Sequence, residues 1–206
     1  RMCFTPHQDL DLTLRAVALA KEFGREVIDK ITFVSKYTLY SLQQLALEIL
    51  KYYPKAIYFA DSVGTLTPED VTTIYSSLEK SCKTDFGFHG HDSLFLAQAN
   101  NLAAIKCGVK YIDASLTGMG AGVGNLRTEG IVSLLRSEGC SKHNVPEILC
   151  LADYFNKNVR NQTQPLPLKA MIAGIFNLSK EDQTHLDQTV DIKKYYQLAE
   201  EYAKTM

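Results

Sequence analysis

Apolar and polar positions along the chain switch repeatedly between two periods. Short apolar, β-branched runs alternate with longer stretches whose apolar residues recur every three or four positions. Arg1 to Thr5 leans apolar and predicts a buried strand. From Asp9 to Phe23, Leu10, Leu14, Val17, Ala18 and Ala20 follow helical spacing, and Gly24 marks a stop. Val27 to Val34 is β-branched and aromatic, a second strand. Ser41 to Tyr52 sets Leu42, Leu45, Ala46 and Ile49 on one helical face, with Pro54 beyond its end.

The pattern then repeats. Ala56 to Ala60 predicts a third strand. Thr67 is placed to cap a helix starting at Pro68, with Glu69 and Asp70 in the first turn, where the helix dipole favours acids. Asp85 to His91 predicts a fourth strand, Leu94 to Cys107 a helix stopped by Gly108, and Lys110 to Ala114 a fifth strand. A glycine-rich loop, Gly118 to Gly124, leads into a helix over Thr128 to Ser137. Five strand–helix units in strict alternation predict an α/β fold with a parallel sheet and helices outside it. The handedness of such units allows an open doubly wound sheet or a closed TIM-type (β/α) barrel, and spacing alone does not separate them.

From Asn144 the alternation stops. Pro146 to Asn156 reads as a helix and Gln162 to Lys169 as a linker. Met171 to Leu178 is apolar, and Ile192 to Lys204 is an amphipathic helix with a tyrosine-rich face. The expected organisation is a partial (β/α) barrel catalytic domain over residues 1–143 and a helical C-terminal extension over residues 144–206.

Composition narrows the function. A net charge of -1 without a basic block argues against a phosphate-tracking nucleic-acid surface. The five cysteines are odd in number and include no Cys-x-x-Cys pair, which disfavours a disulfide framework or a thiolate zinc site and fits a reducing compartment. No apolar run approaches the roughly 20 residues that cross a bilayer, and no signal segment opens the chain. A cytoplasmic enzyme is expected. Because the first residue is not Met, a fragment of a longer protein is expected too.

His89 and His91, in Phe88-His89-Gly90-His91-Asp92, lie at the end of the fourth predicted strand. Strand alternation points them the same way. In barrels, catalytic groups collect at that rim, and two imidazoles there can converge on a divalent ion. The alternative for a bare His-x-His is packing or hydrogen bonding at a strand end. Other strand ends add context: Asp61 and Ser62 after the third strand, Asp113 and Ser115 at the fifth. Four glycines between Gly118 and Gly124 let backbone approach a ligand closely. The loop is not the dinucleotide fingerprint, which belongs after the first strand of its fold.

Together, Ala60-Asp61-Ser62-Val63-Gly64, Phe88-His89-Gly90-His91-Asp92 and the run from Asp113 to Asn125 (Asp-Ala-Ser-Leu-Thr-Gly-Met-Gly-Ala-Gly-Val-Gly-Asn) resemble the metal-dependent pyruvate aldolase and HMG-CoA lyase superfamily. The run from Asp113 to Asn125 is similar to the final-strand segment of its 4-hydroxy-2-oxovalerate aldolase branch. The resemblance runs in order from about Arg1 to Ser137. It implies a TIM-type barrel and a divalent metal ion, Mn²⁺ or Mg²⁺. It also implies a carbon–carbon lyase that cleaves a 4-hydroxy-2-keto acid to pyruvate and an aldehyde through a metal-stabilised enolate. His89 and His91 match the family's two metal-binding histidines. Asn125 resembles an asparagine that completes the metal shell, with a turn or helix cap as the alternative. Ser62 matches a serine that holds the pyruvate moiety, beside His89, with a plain turn hydroxyl as the alternative. His7, after the first strand, is a candidate base, against the alternative of a surface-loop histidine.

Departures from the family pattern matter as much. Its first strand carries an Asp-x-Thr-Leu-Arg-Asp-Gly motif. Here Thr13-Leu14-Arg15 is followed by Ala16-Val17 and sits in a predicted helix. The resemblance therefore sets this chain at the fourth strand onward. Three βα units, roughly 90 residues by barrel proportions, are expected upstream, with an arginine, one aspartate ligand and a base. Met171-Ile172-Ala173-Gly174-Ile175-Phe176 lacks both tyrosines of the aldolase branch's Gly-Tyr-Ala-Gly-Val-Tyr. The glycine loop lacks the cysteine of the lyase branch. Competing readings are an acyl-CoA and keto-acid condensing synthase of the same superfamily, and a non-catalytic metal-binding scaffold. The resemblance implies that residues 144–206 dock an aldehyde dehydrogenase. A cover for the barrel end, or a homo-oligomer contact, is the alternative.

Overall fold

The computed structural model describes residues 1–6, 8–79, 81–159, 168–187 and 189–205. They fall into two compact units. The first comprises Arg1–Ser62, Leu66–Gly90 and Ala99–Asp113, and the second Val63–Thr65, His91–Gln98 and Ala114–Met206.

The first unit is built on five strands: β1 (Met2–Phe4), β2 (Ile28–Ile31), β3 (Ala56–Asp61), β4 (Asp85–Gly90) and β5 (Tyr111–Asp113). All pairings are parallel, and the spatial order is β1-β2-β3-β4-β5. A doubly wound sheet reverses its strand order partway across, whereas a TIM barrel lays successive strands side by side. The order found here is the barrel's. It decides the question that spacing left open, with five of the barrel's βα units present.

The connecting helices are α1 (Leu10–Glu22), α2 (Leu39–Leu50), α3 (Pro68–Leu78) and α4 (Ala97–Lys106). Local chemistry sets their ends. The Asp9 carboxylate accepts from the Leu12 N–H at 3.1 Å and caps α1. Thr67 and Asp70 form a reciprocal capping box at α3. Gly108, at φ +81, follows the end of α4. β2 is shorter than its β-branched run suggests. Phe33 adopts a left-handed φ of 53, and Val34–Lys36 closes into a 3₁₀ turn.

Alternation along the strands separates two faces. Phe4, Ile31, Ile57, Phe59 and Phe88 share one hydrophobic cluster with Val17 of α1, Leu42 and Ile49 of α2, and Val71 and Leu78 of α3. That is the outer, helix-covered face. The opposite face is polar. Register aligns Cys3, Lys30, Tyr58, Gly87 and Tyr111 in one row across all five strands. The next row toward the strand ends holds Ala60, His89 and Asp113.

The second unit contains the segments after β3, β4 and β5 together with α5 (Thr128–Ser137), α6 (Val145–Asn158), α7 (Leu168–Phe176), α8 (Lys180–Leu186) and α9 (Ile192–Ala203). Ile172, Ala173, Leu178, Leu186, Tyr195 and Ala199 form its C-terminal cluster. The sequence reading has no helix at α8. Ser179 and Asp182 cap it in a reciprocal box, a Ser-x-x-Asp signal that the short length of the element hides. The predicted linker ends earlier than expected, because Leu168 and Lys169 already belong to α7. Its residues 162–167 lie outside the described residues. Among those described, no helix is long and apolar enough to cross a membrane.

Candidate functional site

The inner face of the sheet brings three charged or ionisable side chains into contact. His89 on β4 and Asp113 on β5 are register partners, and His89 Nδ1 lies 3.1 Å from Asp113 Oδ2. The Arg1 guanidinium grips the same carboxylate with both terminal nitrogens, Nη2 to Oδ1 at 2.8 Å and Nη1 to Oδ2. The guanidinium also lies over the Tyr58 ring, 4.2 Å from its centroid. Burial pushes the Asp113 carboxyl up. The hydrogen bonds from His89 and Arg1 overcome that and hold it well below the usual carboxylate range. An ionised carboxylate only accepts, so His89 Nδ1 is the donor, which leaves Nε2 as the ring nitrogen that can serve a metal. Metal-bound histidines are oriented in this way by carboxylates behind them.

Ser62 follows β3 in the same unit. Its Oγ accepts from the Phe33 N–H at 2.9 Å, a bond that helps hold the left-handed residue after β2. As acceptor there, the hydroxyl still has a proton to give. Asp61 does not share the rim position that the sequence suggests. It is fully buried, and its carboxylate accepts from the Leu66 N–H at 3.1 Å, shaping the turn after β3. Strand alternation explains the difference: in β3, Asp61 falls on the helix side with Ile57 and Phe59.

In the second unit, the segment after β4 is tied to the glycine loop. β4 ends at Gly90, one residue before the predicted end. His91 instead forms an isolated antiparallel bridge with Asn125, and the Asp92 N–H donates to the Gly124 carbonyl at 3.0 Å. Gly124, at φ +108, is where the loop folds back on itself. A methyl there would run into the Gly118 carbonyl, and that carbonyl accepts from the Asn125 N–H at 2.9 Å. The Asn125 amide nitrogen donates to the Met119 carbonyl at 3.0 Å. Its Oδ1 is shielded from solvent and has no hydrogen-bond partner. A buried amide oxygen without a donor is costly, and a hard cation relieves that cost.

Of the residues singled out in the sequence, the fold thus sets His91 beside Asn125. It ties His89 to Asp113, which Arg1 also binds, and Ser62 to Phe33. His7 lies outside the described residues. Among the described residues, no group of three His, Cys, Asp or Glu side chains could hold a metal ion. The nitrogen and oxygen donors among the predicted residues are the His91 imidazole and the Asn125 amide oxygen, paired in the second unit, and, in the first unit, the His89 imidazole. Divalent ions of the Mn²⁺ or Mg²⁺ kind take such nitrogen and oxygen donors, so these residues fit the group. Asp113 and Arg1 were not assigned roles from sequence. The usable signal is that Asp113 and His89 both end inward-facing strand positions, which becomes a contact only once the β4–β5 register is known.

Comparison with known proteins shows the family of the chain. The HMGL-like family model matches residues 4–153, and the chain belongs to that family. A 4-hydroxy-2-oxovalerate aldolase from Geobacillus genomosp. 3 is 37% identical over 135 residues, covering 66% of this chain and 40% of the relative. Another, from Geobacillus thermodenitrificans (strain NG80-2), is 29% identical over 181 residues, covering 87% of this chain and 53% of the relative. The chain thus spans about half or less of the curated relatives it matches. Among solved structures, the N-terminal domain of a Bacteroides vulgatus protein described as an aldolase superposes with a TM-score of 0.77 at 25% identity, over 95% of this chain and 64% of that one. An HMG-CoA lyase from Bacillus subtilis shares the fold, with a TM-score of 0.68 at 18% identity over 86% of this chain and 61% of that one.

Proposed function

We propose that this chain is the metal-binding part of a divalent-metal-dependent aldolase that cleaves a 4-hydroxy-2-keto acid to pyruvate and an aldehyde. The observation that carries the reading is the pairing of His91 with Asn125, whose amide oxygen is buried without a donor. The names of the curated relatives support the reaction class. In this reading His89, through Nε2, His91 and Asn125, through Oδ1, hold the ion. Bound there, a divalent ion supplies Lewis acidity that stabilises the enolate left by carbon–carbon cleavage.

The chain's own residues have three tasks. Asp113, clamped by Arg1, keeps His89 in one tautomer and one orientation. Ser62, on the segment after β3, donates a hydrogen bond from its hydroxyl to orient the keto acid. A base takes the proton of the 4-hydroxyl as the C3–C4 bond breaks. The bond's electrons pass toward the keto oxygen, and protonation at C3 yields pyruvate. His7 is the candidate this chain offers for the base. Residues 144–206, which carry helices α6 to α9, are the segment proposed to dock an aldehyde dehydrogenase, and the cytoplasm is the proposed location.

The test uses protein expressed from its full reading frame. With Mn²⁺, it should release pyruvate from 4-hydroxy-2-oxovalerate, detected by coupling to lactate dehydrogenase. His89→Ala should abolish release and lower bound metal. Absence of cleavage, together with unchanged metal content in the variant, sinks the reading. Release of free CoA from acetyl-CoA and a keto acid would favour a condensing synthase instead.

A further inference from the structure

The inner face of the sheet carries more positive charge than its own acid neutralises. Arg1, Lys30 and Asp113 interact electrostatically there. Asp113 is already saturated: Arg1 takes both of its oxygens and His89 shares one. Lys30 stands one row below His89 and Asp113, between Cys3 on β1 and Tyr58 on β3. Ile31 and its helix-side cluster fix the other face of β2, so alternation turns Lys30 inward. It is half-buried. Among the described residues no carboxylate forms an ion pair with it, and burial draws its ammonium down toward the neutral form.

The neighbouring aromatic ring does not cover it. Tyr58 lies across Gly87, where a methyl would overlap the ring, and stacks on Tyr111 with centroids 6.2 Å apart. Its ring therefore leans over β4 toward β5, away from β2. A half-buried cation whose nearest acid is already bound by two other groups is expensive, and an incoming carboxylate removes that expense. Two cations against one saturated acid leave room for one negative charge, the charge of a 2-keto acid.

We propose that Lys30 is the anchor for the carboxylate of the small keto acid, a binding residue that sets affinity for the anion while leaving bond cleavage to other groups. The proposal rests on the aldolase reading for the identity of its ligand. Pyruvate is the probe, titrated calorimetrically into the Mn²⁺-loaded full-length protein and into two variants. Lys30→Met should weaken pyruvate binding about 10- to 100-fold, and should raise the KM for cleavage similarly with little change in kcat. Lys30→Arg should stay within about threefold. Neither should lower the melting temperature, since among the described residues no ion pair of the lysine is lost and Asp113 keeps Arg1 and His89. If Lys30→Met misfolds, Lys30→Gln takes its place.

Unchanged pyruvate affinity in Lys30→Met overturns the inference, even with metal-dependent cleavage intact. So does a covalent pyruvate adduct on Lys30 trapped by borohydride, which would make the amine a nucleophile. A wild-type protein that cleaves no hydroxy-keto acid, yet binds pyruvate through Lys30, sinks the aldolase reading and leaves the anchor standing.

Discussion

Asp113 and His89 are register partners on adjacent parallel strands, and their side chains meet at 3.1 Å. The contact makes Asp113 a positioning residue. Asp113→Asn keeps the size but offers an amide that can donate as well as accept, so the tautomer of His89 is no longer imposed. Arg1 loses its bidentate partner in the same change. Mn²⁺ affinity should fall about 10- to 100-fold, the usual loss when such a partner is removed, measured by titration against a competing chelator. An affinity equal to wild type would show that the carboxylate does nothing for the histidine.

Strand and helix order was legible in the sequence because each βα unit switches period and carries its own punctuation. The α5 bounds, Thr128–Ser137, coincide with the reading, and Thr67 caps α3 as expected. What sequence could not supply was register. Asp113 is an ordinary strand-end acid until β4 and β5 are aligned, and only then does it face His89. Lys30 is equally silent, since a lysine in a short strand says nothing about which face is covered. His91 reads as strand by alternation, yet β4 ends at Gly90 and His91 bridges to Asn125 of the glycine loop instead. Asp29 was invisible for the opposite reason: its outward position among apolar side chains contradicts its chemistry.

Asp29 is fully buried on the helix side of β2, and neither carboxylate oxygen has a hydrogen-bond partner. Burial raises its pKa to about 6, with Lys21 offsetting only part of the shift. A carboxyl whose folded pKa lies above its unfolded value binds its proton more tightly in the native state. Its contribution is therefore favourable below about pH 4 and is lost as pH rises through 6. The loss is on the order of 3 kcal/mol at neutral pH. Asp29→Asn removes the titration while retaining the shape. The unfolding free energy of the variant minus that of wild type should grow between pH 4 and 6 and then level off, by urea denaturation at each pH. A difference independent of pH would mean that the native carboxyl is not held protonated.

The Asn125 amide can be displaced without touching a donor atom. A methyl at Gly120 would lie 2.8 Å from Asn125 Cγ and 3.1 Å from Oδ1, too close to be accommodated in place. Gly120→Ala should therefore shift the amide and weaken Mn²⁺ binding about 10-fold, with the circular dichroism spectrum unchanged. If Asn125 only trims the loop through its bond to the Met119 carbonyl, metal affinity will not respond, and the variant will lose stability alone.

Gly87 is needed for the ring that crosses it. Its φ lies outside the left-handed region, so an alanine there faces no backbone penalty, and any cost comes from the overlap of the new methyl with Tyr58. Tyr58 is almost fully buried, stacked on Tyr111 and covered by the Arg1 guanidinium, so it has little freedom to step aside. Gly87→Ala should destabilise the fold by about 1–3 kcal/mol, the range for an overpacked site. The same substitution in a Tyr58→Ala background should cost much less, because the clash has gone. Equal costs in the two backgrounds, by denaturant unfolding of all four proteins, would show that the two positions do not share this contact. A strongly negative coupling would show the glycine is there to seat the ring.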